Sequence, residues 1–205
     1  MMEKRKIIER VRTLKNSDVA ELINRRIKEF ESFRYKNYEE WFKELCFCIL
    51  TANSSAKLGI KIQKEIDRGF LTLSREDLSK KLREMGYRFY NKRAEYIVNA
   101  RRYAEKLKEI VLKKPPKDAR EWLVKNIKGI GYKEASHFLR NTGCKEVAII
   151  DRHIMRVLGI KVGHLNRKRY MEIEKLLENI AKTLDLTLAE LDLYLWSMET
   201  GEVLK

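Results

Sequence analysis

The chain has 205 residues, 44% of them hydrophobic, and carries 45 lysines and arginines against 30 acidic residues, a formal charge of +15. Length and apolar content suffice for one folded domain or two small subdomains, and no run of about 18 apolar residues predicts a membrane helix. A surface rich in Lys–Glu pairs accounts for many charges but not for the basic excess, which points to a polyanionic partner, nucleic acid first.

The charged start Met1–Lys6 has no apolar segment behind it, so no secretory signal is expected. Val19, Leu22, Ile23, Ile27, Phe30 and Phe33 give the apolar face of a helix. Trp41, Leu45, Cys48, Ile49 and Leu50 predict a strongly apolar, buried helix, ended by the polar stretch Thr51–Ser55. Leu58, Ile62 and Ile66 form an i, i+4, i+8 stripe, and a further helix runs from Leu78 to Met85, stopped by Gly86. Tyr96, Ile97, Ala100, Ala104, Leu107 and Ile110 predict one long amphipathic helix over Ala94–Ile110. Pro115 and Pro116 end it and start the next, Ala119 through Ile127. Helix resumes from Lys133 to Asn141, closed by Gly143. Val147–Ile150 is an apolar connector, Arg152–Leu158 another helix, and Arg167–Met198 two more around Asp185–Thr187. No strand pattern emerges, so the expected class is all-α. Two helical subdomains are expected, 1–40 with 160–205 and 41–159, with a cleft between them.

Between two of these helices stands Lys128-Gly129-Ile130-Gly131. Two glycines around one apolar residue allow a sharp reversal and leave backbone amides open to an approaching ligand. Those amides head the next helix, where unpaired N–H groups and the dipole favour an anion such as a DNA phosphate. A plain helical hairpin with a glycine turn is the alternative, since the short motif alone is weak.

Lys133 sits in the first turn of that helix, the wrong end of the dipole for a cation. Phosphate binding is one reason for a lysine there. Nucleophilic catalysis is another, because a Schiff-base lysine must be neutral to attack and helix N-termini and burial favour the neutral amine. Asp151 follows four apolar residues and opens the next helix, so it is a strong N-cap. Backbone amides that fix a capping carboxylate also keep it ionised, and a fixed anion stabilises the positive charge that grows on a sugar as its glycosidic bond breaks.

The stretch Ile127–Ala135 followed by Ala148–Leu158, with Lys133 and Asp151 separated by 18 positions, resembles the helix-hairpin-helix signature of the DNA glycosylase superfamily that includes endonuclease III. The connector's usual proline is missing; Lys145-Glu146 stands there. The resemblance implies base excision, then strand cleavage by β-elimination through a Schiff base on Lys133. Iron–sulfur members carry four cysteines after the motif; here the cysteines are Cys46, Cys48 and Cys144. No cluster or metal is therefore expected, although the hairpin leaves room for a monovalent cation. Members with an N-terminal β domain are longer. What remains is similar to the short archaeal-type 8-oxoguanine DNA glycosylases, from about Tyr38 to the C-terminus.

That resemblance implies a flipped-out nucleotide, with loop residues filling the gap. Asn53 is the candidate in one loop, or else a helix cap. Phe89 is the candidate wedge in the loop Gly86–Ala94, then Tyr87, or else Phe89 is core. Arg152 and His153 are implied to serve the phosphates or merely their helix surface. Trp196 and the terminal Lys205 are implied to lie at the base pocket, or else to be core and a frayed tail. The expected partner is double-stranded DNA bearing a damaged base, bound by a cytoplasmic, nucleoid-associated monomer. Two alternatives stay open: the same chemistry on another lesion, and a non-catalytic DNA-binding hairpin module.

Overall fold

A computed structural model describes residues 4–52, 54–163 and 165–203; Asn53 and Lys205 lie outside the described residues. Among these, every regular element is helical, as the all-α expectation requires. No helix among them is long and apolar enough to cross a membrane. The chain divides into two compact units, Tyr35–Phe138 and Met1–Arg34 with Leu139–Lys205.

The terminal unit contains α1 (Lys4–Lys15), which the sequence reading did not anticipate, and α2 (Asp18–Phe33). Ile7, Val11, Ile23, Ile27 and Phe30 bury one face of this pair. Leu22 of the predicted face stays 46% exposed. The central unit is built on α3 (Tyr38–Thr51), capped by the Asn37 side chain accepting from Glu40 N. Leu45 through Leu50 of α3 are fully buried, so this stretch is apolar on all sides, as a core segment must be. Each such large side chain contributes about 1.5–3 kcal/mol on leaving water. Around it lie α4 (Ala56–Ile66), α5 (Gly69–Thr72), α6 (Arg75–Glu84) and α7 (Tyr90–Ala100).

The single helix expected over Ala94–Ile110 is not formed. After α7 the chain tightens into a 3-10 turn, Arg101–Tyr103, before α8 (Leu107–Leu112). The Arg101 guanidinium anchors this break, donating to the carbonyls of Phe70 and Leu73 at 2.8 and 2.6 Å. The tighter winding advances the apolar face, so Val111 is buried where Ile110 was expected. Next come α9 (Pro116–Asn126), with proline in its first turn, and α10 (Tyr132–Asn141).

Beyond α10 the chain returns to the terminal unit through the connector 147–150, α11 (Arg152–Val157), α12 (Arg167–Leu184) and α13 (Leu188–Thr200). The expected boundary at 159/160 is thus misplaced: residues 139–159 belong with the terminal unit. The reason is the backbone of the buried connector, whose polar groups need partners. Ala148 N donates to Glu174 of α12 at 2.9 Å, and the Tyr170 hydroxyl donates to Ala148 O at 2.8 Å while accepting from Ile150 N.

Candidate active site

The hairpin between α9 and α10 lies within the central unit. Gly129 adopts φ +90°, closed to ordinary residues, and a Cβ there would meet the Tyr96 ring at 2.3 Å. Its carbonyl accepts from Arg93 Nη1 at 2.7 Å, while Nη2 of the same guanidinium donates to Ala52 O at 3.2 Å. Arg93 is 8% exposed, so a buried cation ties the hairpin to the end of α3. Packing and backbone strain alone therefore require glycine at 129. Ile130, between the two glycines, is buried.

Gly131 differs. Among the described residues, its chain neighbours aside, only a Glu134 carboxylate oxygen comes within 4 Å of its would-be Cβ, at 3.4 Å. Its amide, expected to be unpaired, donates to Glu134 Oε2 at 3.1 Å. The other oxygen, Oε1, lies 3.2 Å from Lys133 Nζ. Lys133 thus stands in the first turn of α10, 29% exposed at its side chain, beside an internal carboxylate. Tyr132 is fixed by its hydroxyl donating to Glu121 at 2.8 Å.

Of the loop residues in this unit, Tyr87 is 2% exposed and its hydroxyl donates to Leu50 O at 2.7 Å. It is a core strut joining the 86–90 loop to α3, not a wedge. Phe89 is half-buried at the head of α7, with the Arg88 guanidinium 5.0 Å from its ring centre.

In the terminal unit, Asp151 caps α11. Its Oδ1 accepts from His153 N at 2.8 Å and Ile154 N at 2.9 Å, so the carboxylate is pinned at the positive end of the helix. His153 packs on Trp196 of α13, ring centres 4.6 Å apart. Its Nδ1 lies 3.8 Å from Glu199 Oε1, an ion-pair distance too long for a hydrogen bond. Both His153 Nδ1 and Trp196 Nε1 are buried without a hydrogen-bond partner, which places unsatisfied polar atoms beside an aromatic face. Arg152 is exposed, its Nε 3.4 Å from His153 Nε2, and Arg156 reaches Glu199. Beneath α11, Asp192 of α13 is buried and ion-paired with Arg140, which also donates twice to Asn141 Oδ1 and lies over the Phe30 ring. Burial pushes the Asp192 carboxyl up to about 6; Arg140 opposes this and the Asp151 charge adds to it.

The two catalytic candidates thus head two helices, Lys133 in the central unit and Asp151 in the terminal one. One supplies an amine at a helix N-terminus, the other a carboxylate kept in place by main-chain donors. Sequence reading missed Arg93, Glu134, Arg140 and Asp192. Glu134 alone had a local signal, standing three residues after a helix-capping glycine, where a glutamate folds back onto the cap amide.

The sequence matches the family described as 8-oxoguanine DNA glycosylase over residues 23–186. It is 57% identical to the 8-oxoguanine DNA glycosylase/AP lyase of Methanocaldococcus jannaschii, covering 97% of this chain and 99% of that one. The Korarchaeum cryptofilum protein of the same description is 51% identical over 97% and 98% of the two chains. A crystal structure of the M. jannaschii glycosylase/lyase in complex with a 15mer DNA containing 8-oxoguanine superposes with a TM-score of 0.94 at 56% identity, over 97% of this chain and 99% of that one. The 8-oxoguanine DNA glycosylase of Thermotoga maritima gives 0.92 at 40% identity, over 99% and 100%. With a family match across most of its length and near-full-length relatives above half identity, the chain belongs to the helix-hairpin-helix 8-oxoguanine DNA glycosylase family.

Proposed function

We propose that this protein is a bifunctional 8-oxoguanine DNA glycosylase/AP lyase acting on damaged double-stranded DNA. The observation that carries the reading is near-full-length identity to relatives of that description, on a chain whose Lys133 and Asp151 head α10 and α11. In this reading the Lys133 amine attacks C1′ of the flipped-out nucleotide as the bond to the base breaks, and the base leaves with a proton. Opening of the sugar gives an imine. Loss of a C2′ proton then expels the 3′ phosphate by β-elimination, and water releases the enzyme. Asp151, pinned by two amides, opposes the positive charge that builds on the sugar.

Several assignments follow from the same reading. The Gly131 end of the hairpin takes a DNA phosphate, fixing position without reading sequence. Trp196 and His153 line the base pocket, supported by their tilted ring contact and unsatisfied nitrogens. Phe89 enters the duplex, with Asn53 and Lys205 as further contacts, and Arg152 meets the backbone. The reading needs no cluster or cofactor. Gly129's carbonyl is engaged by Arg93, so a monovalent cation at the hairpin would rest on other carbonyls of the turn, and no step is routed through it. The enzyme acts as a monomer, in the cytoplasm at the nucleoid.

Incubation with an 8-oxoguanine duplex and borohydride should reduce the imine to a stable covalent adduct, which Lys133→Gln abolishes. No adduct with the unaltered enzyme, or an undiminished one with Lys133→Gln, would overturn the assignment.

A further inference from the structure

We infer that Glu134 is a positioning residue that latches Lys133 and the hairpin amide together until a DNA phosphate displaces it; this rests on the function proposed above. The two oxygens of one carboxylate hold the two groups that DNA must engage. Oε2 accepts from Gly131 N at 3.1 Å, and Oε1 pairs with Lys133 Nζ at 3.2 Å. Helix geometry does not produce this contact unaided. Successive residues on a helix diverge by about 100° and do not face each other. Lys133 and Glu134 meet because the glutamate folds back over the helix end to reach Gly131. The pair is partly desolvated, with side chains 29% and 13% exposed, which strengthens it relative to a fully hydrated pair.

The same seat suits a phosphate. Gly131 offers its amide at a helix N-terminus, and among the described residues, its chain neighbours aside, the Glu134 carboxylate alone comes within 4 Å of the space a Cβ would take. A phosphate arriving there repels the carboxylate and competes for the amide. Once Glu134 swings out, it releases Lys133 as well. Engagement of the DNA backbone and liberation of the nucleophile thus become one event. The amine is held in an ion pair while no substrate is present and is set free where a flipped nucleotide can meet it.

A glutamate that merely caps α10 would change stability alone, so the test reads two other quantities. The first is imine formation at Lys133 without DNA. Glycolaldehyde condenses with the amine with loss of water, and borohydride adds hydride to the resulting imine, leaving a secondary amine that mass spectrometry locates and quantifies. Glu134→Gln should raise labelling at Lys133 about fivefold relative to other lysines of the same chain, the scale of one weak ion pair. Glu134→Asp keeps the charge but loses the reach to span both groups, and should also raise it. The second is affinity for undamaged duplex. A phosphate that no longer has to displace an anion binds more tightly, so Glu134→Gln should tighten binding about fivefold at low salt, while the log–log salt slope stays that of the unaltered enzyme because the same phosphates are engaged in both. Unchanged labelling in both folded variants, or unchanged affinity in Glu134→Gln, overturns the latch. Loss of the DNA adduct in Lys133→Gln alongside such a result would leave the enzymatic reading standing and the latch refuted.

Discussion

In the proposed mechanism Asp151 serves structure and chemistry together. Its Oδ1 accepts two backbone amides at the head of α11, and asparagine, an equally good N-cap, offers the same oxygen. Asp151→Asn therefore removes charge while keeping the cap. Excision should fall by about 10²–10³-fold, the range seen when an oriented electrostatic group is lost, while the melting temperature and DNA affinity hardly move. Single-turnover excision measured beside equilibrium binding separates the cases; equal losses in both would reduce Asp151 to its capping role. At this scale the sequence was legible where chemistry is local. An aspartate after an apolar run, a lysine after a glycine turn and a flexible pair of glycines each announce themselves within a few residues. Arg93 did not, because what makes it matter is the Gly129 carbonyl 36 positions away. Tyr87 misled for the same reason: an aromatic in a loop reads as a wedge until its hydroxyl is seen on Leu50.

In the terminal unit the last residues of α10 meet α13 beneath α11 at the buried Arg140–Asp192 pair. Burial lifts the Asp192 carboxyl from its ordinary 3.8 to about 6, against the pull of Arg140 and with the help of Asp151. The folded protein therefore holds that proton more tightly than the unfolded chain does. This group stabilises the fold most below about pH 4, and its contribution is lost as pH rises through 6, by about 3 kcal/mol. Asp192→Asn, always neutral, lacks this dependence. The stability of the natural protein relative to that variant should fall by about this amount between pH 4 and 7 in denaturant unfolding, and a difference that stays flat with pH would refute the assignment. Periodicity located these helices well, since a 3.6-residue stripe records which face is buried. It failed at the 3-10 turn after α7, where Arg101 binds carbonyls 28 and 31 positions back, a contact no window of helical length contains.

Across the whole molecule the +15 charge dominates encounter with DNA. Neutralising phosphates releases counterions, so affinity for any duplex should drop by about 10³–10⁵ between 50 and 200 mM salt if six to ten phosphates are engaged. Titrations of undamaged and lesion-bearing duplex should show nearly parallel slopes, since the lesion adds base contacts and few phosphates; a lesion complex insensitive to salt would contradict this. The sequence by itself determined the all-α class, most helix positions, the hairpin and the two residues proposed to carry the chemistry. All of these are written in spacings shorter than one helix or in a motif of 32 residues. Only the tertiary structure decided which charges are buried and against what: Arg93 on the hairpin, Arg140 on Asp192, and the connector's assignment to the terminal unit through Glu174 and Tyr170. The physical reason is that burying a charge or a backbone amide is tolerable only with a partner, and in each of these cases the partner lies far along the chain, brought close by packing alone.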